Sequence, residues 1–166
     1  MTAPGLSDDV TTATELDSHA DSPVVGRYAI ILEVLNKTVQ VSGFTTDLGK
    51  PIRVPVVNAA VAYDCDITGD THILVLYSAL YLESMENNLV PPIAMRLAGC
   101  DVNECPKFLA KNPSIAHHSV YFPTAGVRIP FQIEGIVSYF PTRKPDKNEL
   151  EKYSGEYLLL TPNTNE

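Results

Sequence analysis

Tryptophan is absent from the chain, so Tyr and Phe supply the large aromatic packing. Cysteine is scarce, and three thiols are too few and odd in number for a disulfide framework, which suits a reducing compartment. Basic residues are few as well. Twelve Lys and Arg stand against twenty Asp and Glu, for a formal net charge of −8, and the cations are scattered singly. Nucleic-acid backbones and anionic membranes need clustered cations to displace counterions, so neither is expected as a partner. The apolar runs are broken every few residues, and none approaches the ~20 residues of a membrane helix. No basic-then-apolar leader pattern opens the chain. The expectation is an intracellular, cytoplasmic protein. Neither a phosphate loop nor a dinucleotide fingerprint occurs, and no cofactor is called for.

What is present is enough apolar residue, 45% of 166, to bury one real core. Residues 1–13 are small, polar and acidic and read as a flexible tail or the end of a linker. Beyond them the dominant period is two. Thr38-Val39-Gln40-Val41-Ser42 and Ile52-Arg53-Val54-Pro55-Val56 alternate, and residues 127–133 alternate over seven positions. Pro55 and Pro130 cannot donate to a ladder, which puts those strands at edges or bulges. Asp66-Ile67-Thr68-Gly69-Asp70 is a turn by composition and joins residues 57–63 to 71–76 as a hairpin. Further strands are expected at 118–122, 136–140 and 157–161. A helix is expected after Pro91 and Pro92, stopping at Gly99, and a second over residues 145–153. The fold class is mostly β.

The densest chemistry lies in Glu15-Leu16-Asp17-Ser18-His19-Ala20-Asp21-Ser22-Pro23-Val24-Val25-Gly26, a turn between two apolar runs. Short polar side chains in such a turn hydrogen-bond local backbone, so Asp17 can be held in one orientation. On these residues alone, Asp17 and Ser18 read as turn caps. Other constellations are weaker. Cys100 and Cys105 with His117 and His118 include four zinc-type ligands, but their spacing fits no structural zinc pattern. Asp64-Cys65-Asp66-Ile67-Thr68-Gly69-Asp70 begins like a calcium loop, yet Val75 stands where a bidentate Glu is required. No metal site is assigned.

Leu16-Asp17-Ser18, Ala20-Asp21 and the following Val24-Val25 resemble the active-site loop of retropepsins, and most nearly that of copia-type retrotransposon proteases. A second landmark agrees: the apolar stretch 73–82 followed by Asn88-Leu89-Val90 resembles the strand and Asn-Leu-Leu turn that lead into a helix in that family. The match covers about residues 14–100. It implies a retropepsin-like core at 14–105, a closed β-barrel subunit with one short helix, and a β-rich C-terminal extension at 106–166 that serves as dimer interface or spacer. The activity implied is that of an aspartic endopeptidase processing a retroelement polyprotein, in the cytoplasm or within retroelement particles.

Hydrolysis by carboxylates needs two of them about 3 Å apart sharing a proton. The chain has one such loop, so the second Asp17 must come from another copy across a two-fold axis. The resemblance makes Asp17 catalytic, makes Ser18 the hydroxyl that braces the loops across that axis, and sets His19, Ala20 and Asp21 along the substrate. A flap is expected between residues 38–42 and 51–55, with Gly43 and Gly49 bounding a tip that approaches bound peptide. Residues 157–161 are expected as a strand interleaving with the partner. Two departures stand out. His19 occupies the family's Gly, and Asp21 lacks the Arg that pairs with its counterpart in retroviral relatives, so that the pairing is either replaced by Arg27 or Arg96 or lost; copia-type relatives lack that Arg too. The alternative reading is a retropepsin-like module that His19 has cost its catalysis, kept for dimerisation or peptide binding. Cleavage specificity is not legible, because cleft walls set it.

Overall fold

The computed structural model describes residues 10–41 and 51–163. Mostly β architecture follows from the two-residue period, as expected. The order is β1 (Thr11–Leu16), β2 (Val24–Val25), β3 (Ile30–Val41), β4 (Ile52–Asp64), β5 (Thr71–Tyr81), β6 (Asn88–Val90), α1 (Pro92–Leu97), β7 (Asp101–Asn103), β8 (Ser119–Phe122), β9 (Val127–Pro130), β10 (Gln132–Glu134), β11 (Val137–Arg143), α2 (Lys147–Lys152) and β12 (Leu158–Leu159), with a 3-10 turn at Lys107–Leu109. The main sheet runs β10-β11-β1-β6-β2-β5-β4-β3, and β12 adds to β5. A bridge between Arg143 and Ala62 returns β11 to β4. A second sheet, β7-β8-β9, buries Val120, Phe122 and Ile129 in the same cluster as Val57, Val61, Leu74, Leu76 and Phe140.

Among the described residues β1 reaches back to Thr11, because Thr11–Ala13 find partners in Pro141–Arg143 of β11. Residues past 106 are woven into the main sheet. β11 lies antiparallel to β1, and Phe140, Leu158 and Leu160 sit in the main core. β12 pairs in parallel with Leu74 and Val75 of its own chain, and the Leu160 N–H donates to the Val75 carbonyl at 2.8 Å. The strand expected to interleave with a partner is therefore paired within the subunit.

The seven-residue strand expected at 127–133 is split at Phe131. That residue turns its buried ring to stack on Phe140 and donates its N–H to the His118 carbonyl, so β9 stays with β8 while β10 crosses to β11. Pro130 ends β9 at the edge of the small sheet, a place where no donor is needed. Pro55 pairs with Thr38 on β3 beyond the last β4–β5 contact at Val56 and Leu80.

The helices carry the expected signals. α1 has Pro at its first position and ends at Gly99, whose φ of +98° is the left-handed stop that glycine takes without strain. α2 opens on a capping box: the Asp146 side chain accepts from the Glu149 N–H while the Glu149 side chain accepts from the Asp146 N–H. Among the described residues, no helix is long and apolar enough to cross a membrane.

Candidate functional site

Asp17 stands at the point where β1 gives out. β1 pairs in parallel with β6 as Thr14 with Asn88, Glu15 with Leu89 and Leu16 with Val90. The ladder then makes one further bond, from the Asp17 N–H to the Val90 carbonyl at 3.0 Å. Leu16 and Val90 are buried beneath, so the backbone entering the loop is anchored on both sides. The chain next turns back, with the Ala20 N–H donating to the Asp17 carbonyl at 3.2 Å. The Asp17 carboxylate accepts from the His19 N–H at 3.0 Å, the Asx turn that its composition foreshadowed. Asp17 and Ala20 are half-buried, whereas Ser18, His19 and Asp21 are exposed. The three exposed side chains sit beside the acid and face solvent.

A buried polar network fixes this loop from behind. Asn88 is fully buried. Its Oδ1 accepts from the Gly26 N–H at 2.9 Å, and its Nδ2 donates to Thr14 Oγ1 at 3.3 Å. Thr14 Oγ1 in turn shares a 2.8 Å bond with Thr142 Oγ1 on β11, also buried. One amide thus ties β6 to the strands before and after the Asp17 loop, and the hydroxyl pair extends the tie to the C-terminal third. Gly26 is required sterically, since a Cβ there would lie 2.2 Å from the Met85 carbonyl oxygen. Met85 belongs to the turn that leads into β6, which Arg27 also holds, donating to the Ser84 carbonyl at 3.1 Å and pairing with Glu86 at 2.7 Å.

Neither expected replacement for the missing Arg reaches Asp21. Arg27 is paired with Glu86, and Arg96 donates to the Val102 carbonyl and pairs with Glu104 at 3.3 Å. Among the described residues no hydrogen bond or ion pair joins Asp21 to either arginine. The strands expected to bound the flap form a two-stranded arm, Thr38–Val41 against Ile52–Pro55, that runs beyond the last rung to β5. Its Val54, with Ile52 and Val41, packs on Val24, Leu82, Met85 and Leu89, the apolar residues flanking the Asp17 loop. Gly43 and Gly49 lie outside the described residues.

The zinc-type residues are occupied separately. The Cys100 thiol is buried, donates to the Leu159 carbonyl at 3.5 Å, and is pushed up to about 12 by burial and by Asp101. The His117 ring meets Ser114, while the His118 ring lies 2.8 Å from Ser138 Oγ and edge-on to Phe131, with burial and then Lys107 lowering its pKa. Asp64, first in the calcium-like run, is held by Arg143 and accepts from Thr71 Oγ1 at 2.6 Å.

Of the expected site residues, the structure brings Asp17, Ser18, His19, Ala20 and Asp21 into one loop. Thr14, Gly26 and Thr142 escaped sequence reading. The signals for the first two were a threonine at an inward strand position and a glycine directly after an apolar pair; Thr142, 128 positions from its partner, had none. In comparisons with known proteins, no family model, no curated protein and no solved structure matches this chain.

Proposed function

We propose that the chain is an aspartic endopeptidase of the retropepsin type, of copia-like retroelement origin, active as a homodimer on polypeptide. The observation that carries this reading is the setting of Asp17: a carboxylate at the end of β1, clamped to β6 through the Val90 carbonyl and oriented by the His19 N–H. A strand circuit β11-β1-β6-β2-β5-β4, returned to β11 at Arg143 and Ala62, supports the closed-barrel form of the fold.

In the dimer the two Asp17 carboxylates share one proton across the axis. The ionised one takes a proton from water, whose oxygen attacks the peptide carbonyl carbon, while the protonated one gives its proton to the carbonyl oxygen. Collapse of the tetrahedral adduct then expels the amine, which takes the proton the first carboxyl gained from water, while an adduct hydroxyl returns a proton to the second carboxylate. Ser18, exposed beside the acid, would bond across the axis. The alternative of a catalytically impaired binding module rests on His19, and the loop weakens it, because His19 gives the carboxylate its N–H while its side chain stays outside.

The test is digestion of unfolded polypeptide from pH 4 to 7 by wild type and Asp17→Asn, read by mass spectrometry. Fragments made by wild type and lost in the variant are expected. Equal cleavage by both, or none by wild type at any pH, rejects the enzyme reading.

A further inference from the structure

We infer that the cleft between α1 and the outer face of the β7-β8-β9 sheet is a docking site for a peptide segment in which one acidic side chain is flanked by aliphatic residues. None of the residues that build it belongs to the Asp17 loop.

The register of the small sheet sets three side chains in one row, with Asp101 opposite Tyr121 and Tyr121 opposite Arg128. Alternation sends Val120, Phe122 and Ile129 into the core, so this row stands on the outer face. α1 walls the cleft on one side, because Arg96 donates to the Val102 carbonyl of β7 at 3.1 Å. The cleft holds about 510 Å³, within the ~300–1,000 Å³ of ligand sites, and both Arg96 and Arg128 line it.

Arg128 is the group that asks for a partner. In this acid-rich chain the other half-buried or clamped arginines find carboxylates: Arg27 pairs with Glu86, Arg96 with Glu104, and Arg143 with Asp64 and Glu149. Arg128 is half-buried, and among the described residues no carboxylate lies within ion-pair reach of it. It is held instead by Ser119 and Tyr121. One Nη1 hydrogen is donated to the buried Ser119 Oγ at 2.7 Å, and the guanidinium carbon lies 4.7 Å from the Tyr121 ring centroid. A planar fork fixed in this way captures a carboxylate in bidentate fashion with little further loss of side-chain freedom. Arg96 keeps donors to spare as well, since its bonds to Val102 and Glu104 both use Nη2.

The rest of the cleft defines what accompanies the carboxylate. Leu97 and Ile115, adjacent in sequence to the lining residues Arg96 and Ala116, are 70% and 75% exposed, and Ile93, one turn before Leu97, is 61% exposed. An aliphatic rim beside a waiting guanidinium complements an acidic residue with aliphatic neighbours. Asp101 shares the cleft, so it opposes a multiply charged anion such as a phosphate dianion or a nucleic-acid backbone, and offers an acceptor for a peptide N–H.

Titration of the isotope-labelled chain with N-acetyl-Leu-Glu-Leu-amide, followed by the amide signals in nuclear magnetic resonance, tests this. N-acetyl-Leu-Gln-Leu-amide, acetate and inorganic phosphate form the other arms. The Glu peptide is expected to shift residues 96–103 and 128 saturably, and to bind about tenfold more tightly than the Gln peptide or either simple anion. Arg128→Gln should erase the preference for Glu over Gln, whereas Arg53→Gln, on the exposed β3–β4 arm, should keep it. The two peptides compared on wild type decide the matter even where Arg128→Gln does not fold. Equal binding of both peptides, binding of acetate or phosphate as tight as that of the Glu peptide, or no saturable shift in the cleft up to ~10 mM overturns the assignment. So does a folded Arg128→Gln that still prefers Glu.

Discussion

Asn88→Ala is the substitution that most directly tests how the Asp17 loop is held. The wild-type amide is fully buried and makes two bonds of unequal importance. Removing it strands the Gly26 N–H, which then pays the desolvation of an unpaired buried donor, about 1–3 kcal/mol. The Thr14 and Thr142 hydroxyls keep their 2.8 Å bond to each other, so loss of the longer 3.3 Å bond from Nδ2 adds less, under about 1 kcal/mol. The sum is about 1–4 kcal/mol, against the ~5–15 kcal/mol typical of a domain. The assay is urea unfolding followed by circular dichroism, with the slope required to stay constant so that the midpoint reports stability alone. Neighbouring Asn87 supplies the control: half-buried, its side chain bonds the Ala13 N–H at 3.2 Å and Glu15 at 2.9 Å near the surface, and Asn87→Ala should cost about 1 kcal/mol or less. Equal effects at 87 and 88, or a loss below about 1 kcal/mol at 88, would refute the claim that this amide is the tie behind the loop.

Two further outcomes are expected. Arg143 grips Asp64 and Glu149 with 2.6 Å contacts, and these bonds hold both carboxyls below their ordinary values near 3.8 and 4.5. Groups lowered by folding contribute stability that is present above their unfolded values and lost as pH falls through the folded ones. Arg143→Met should therefore cost about 1–2 kcal/mol at pH 7, and urea midpoints of wild type and variant should converge as pH drops from about 4 toward 2; a gap that does not change with pH sinks the argument. The Cys65 thiol is favoured as thiolate by the Thr68 hydroxyl and by the Thr68 and Ile67 N–H groups, whereas burial holds Cys100 protonated. A disulfide reagent at pH 7.5 should find its fastest thiol at Cys65, and a fast phase surviving in Cys65→Ser contradicts this.

The parts of the fold legible in sequence were those set by neighbours along the chain. Alternation at 52–56 and the turn at 66–70 are local, and both became parts of β4 and the β4–β5 connection. Pro91, Pro92 and Gly99 bracketed α1 for the same reason. What stayed hidden depended on distant partners. Residues 127–133 alternate without a break, and only the competition between β8 and β11 for the two halves, resolved by the buried Phe131 ring, cuts them in two. Likewise 157–161 read as an apolar strand in want of a partner, and no local feature says that the partner is the middle of β5. The site divides along the same line. Asp17 and its Asx turn are local, while the amide and hydroxyl ties behind them join positions 62 to 128 residues apart.

His19 carries the last step of this reasoning. A glycine is favoured where φ is positive and required where a Cβ would collide, and Gly26 satisfies the second condition against Met85. At position 19 the backbone does not take a positive φ, the side chain is exposed, and the loop uses only the N–H, which every residue but proline possesses. A histidine can therefore replace glycine there without dismantling the turn that orients Asp17. What it adds is an exposed imidazole two residues from Asp17. The departure from glycine thus leaves the geometry of the Asp17 turn intact.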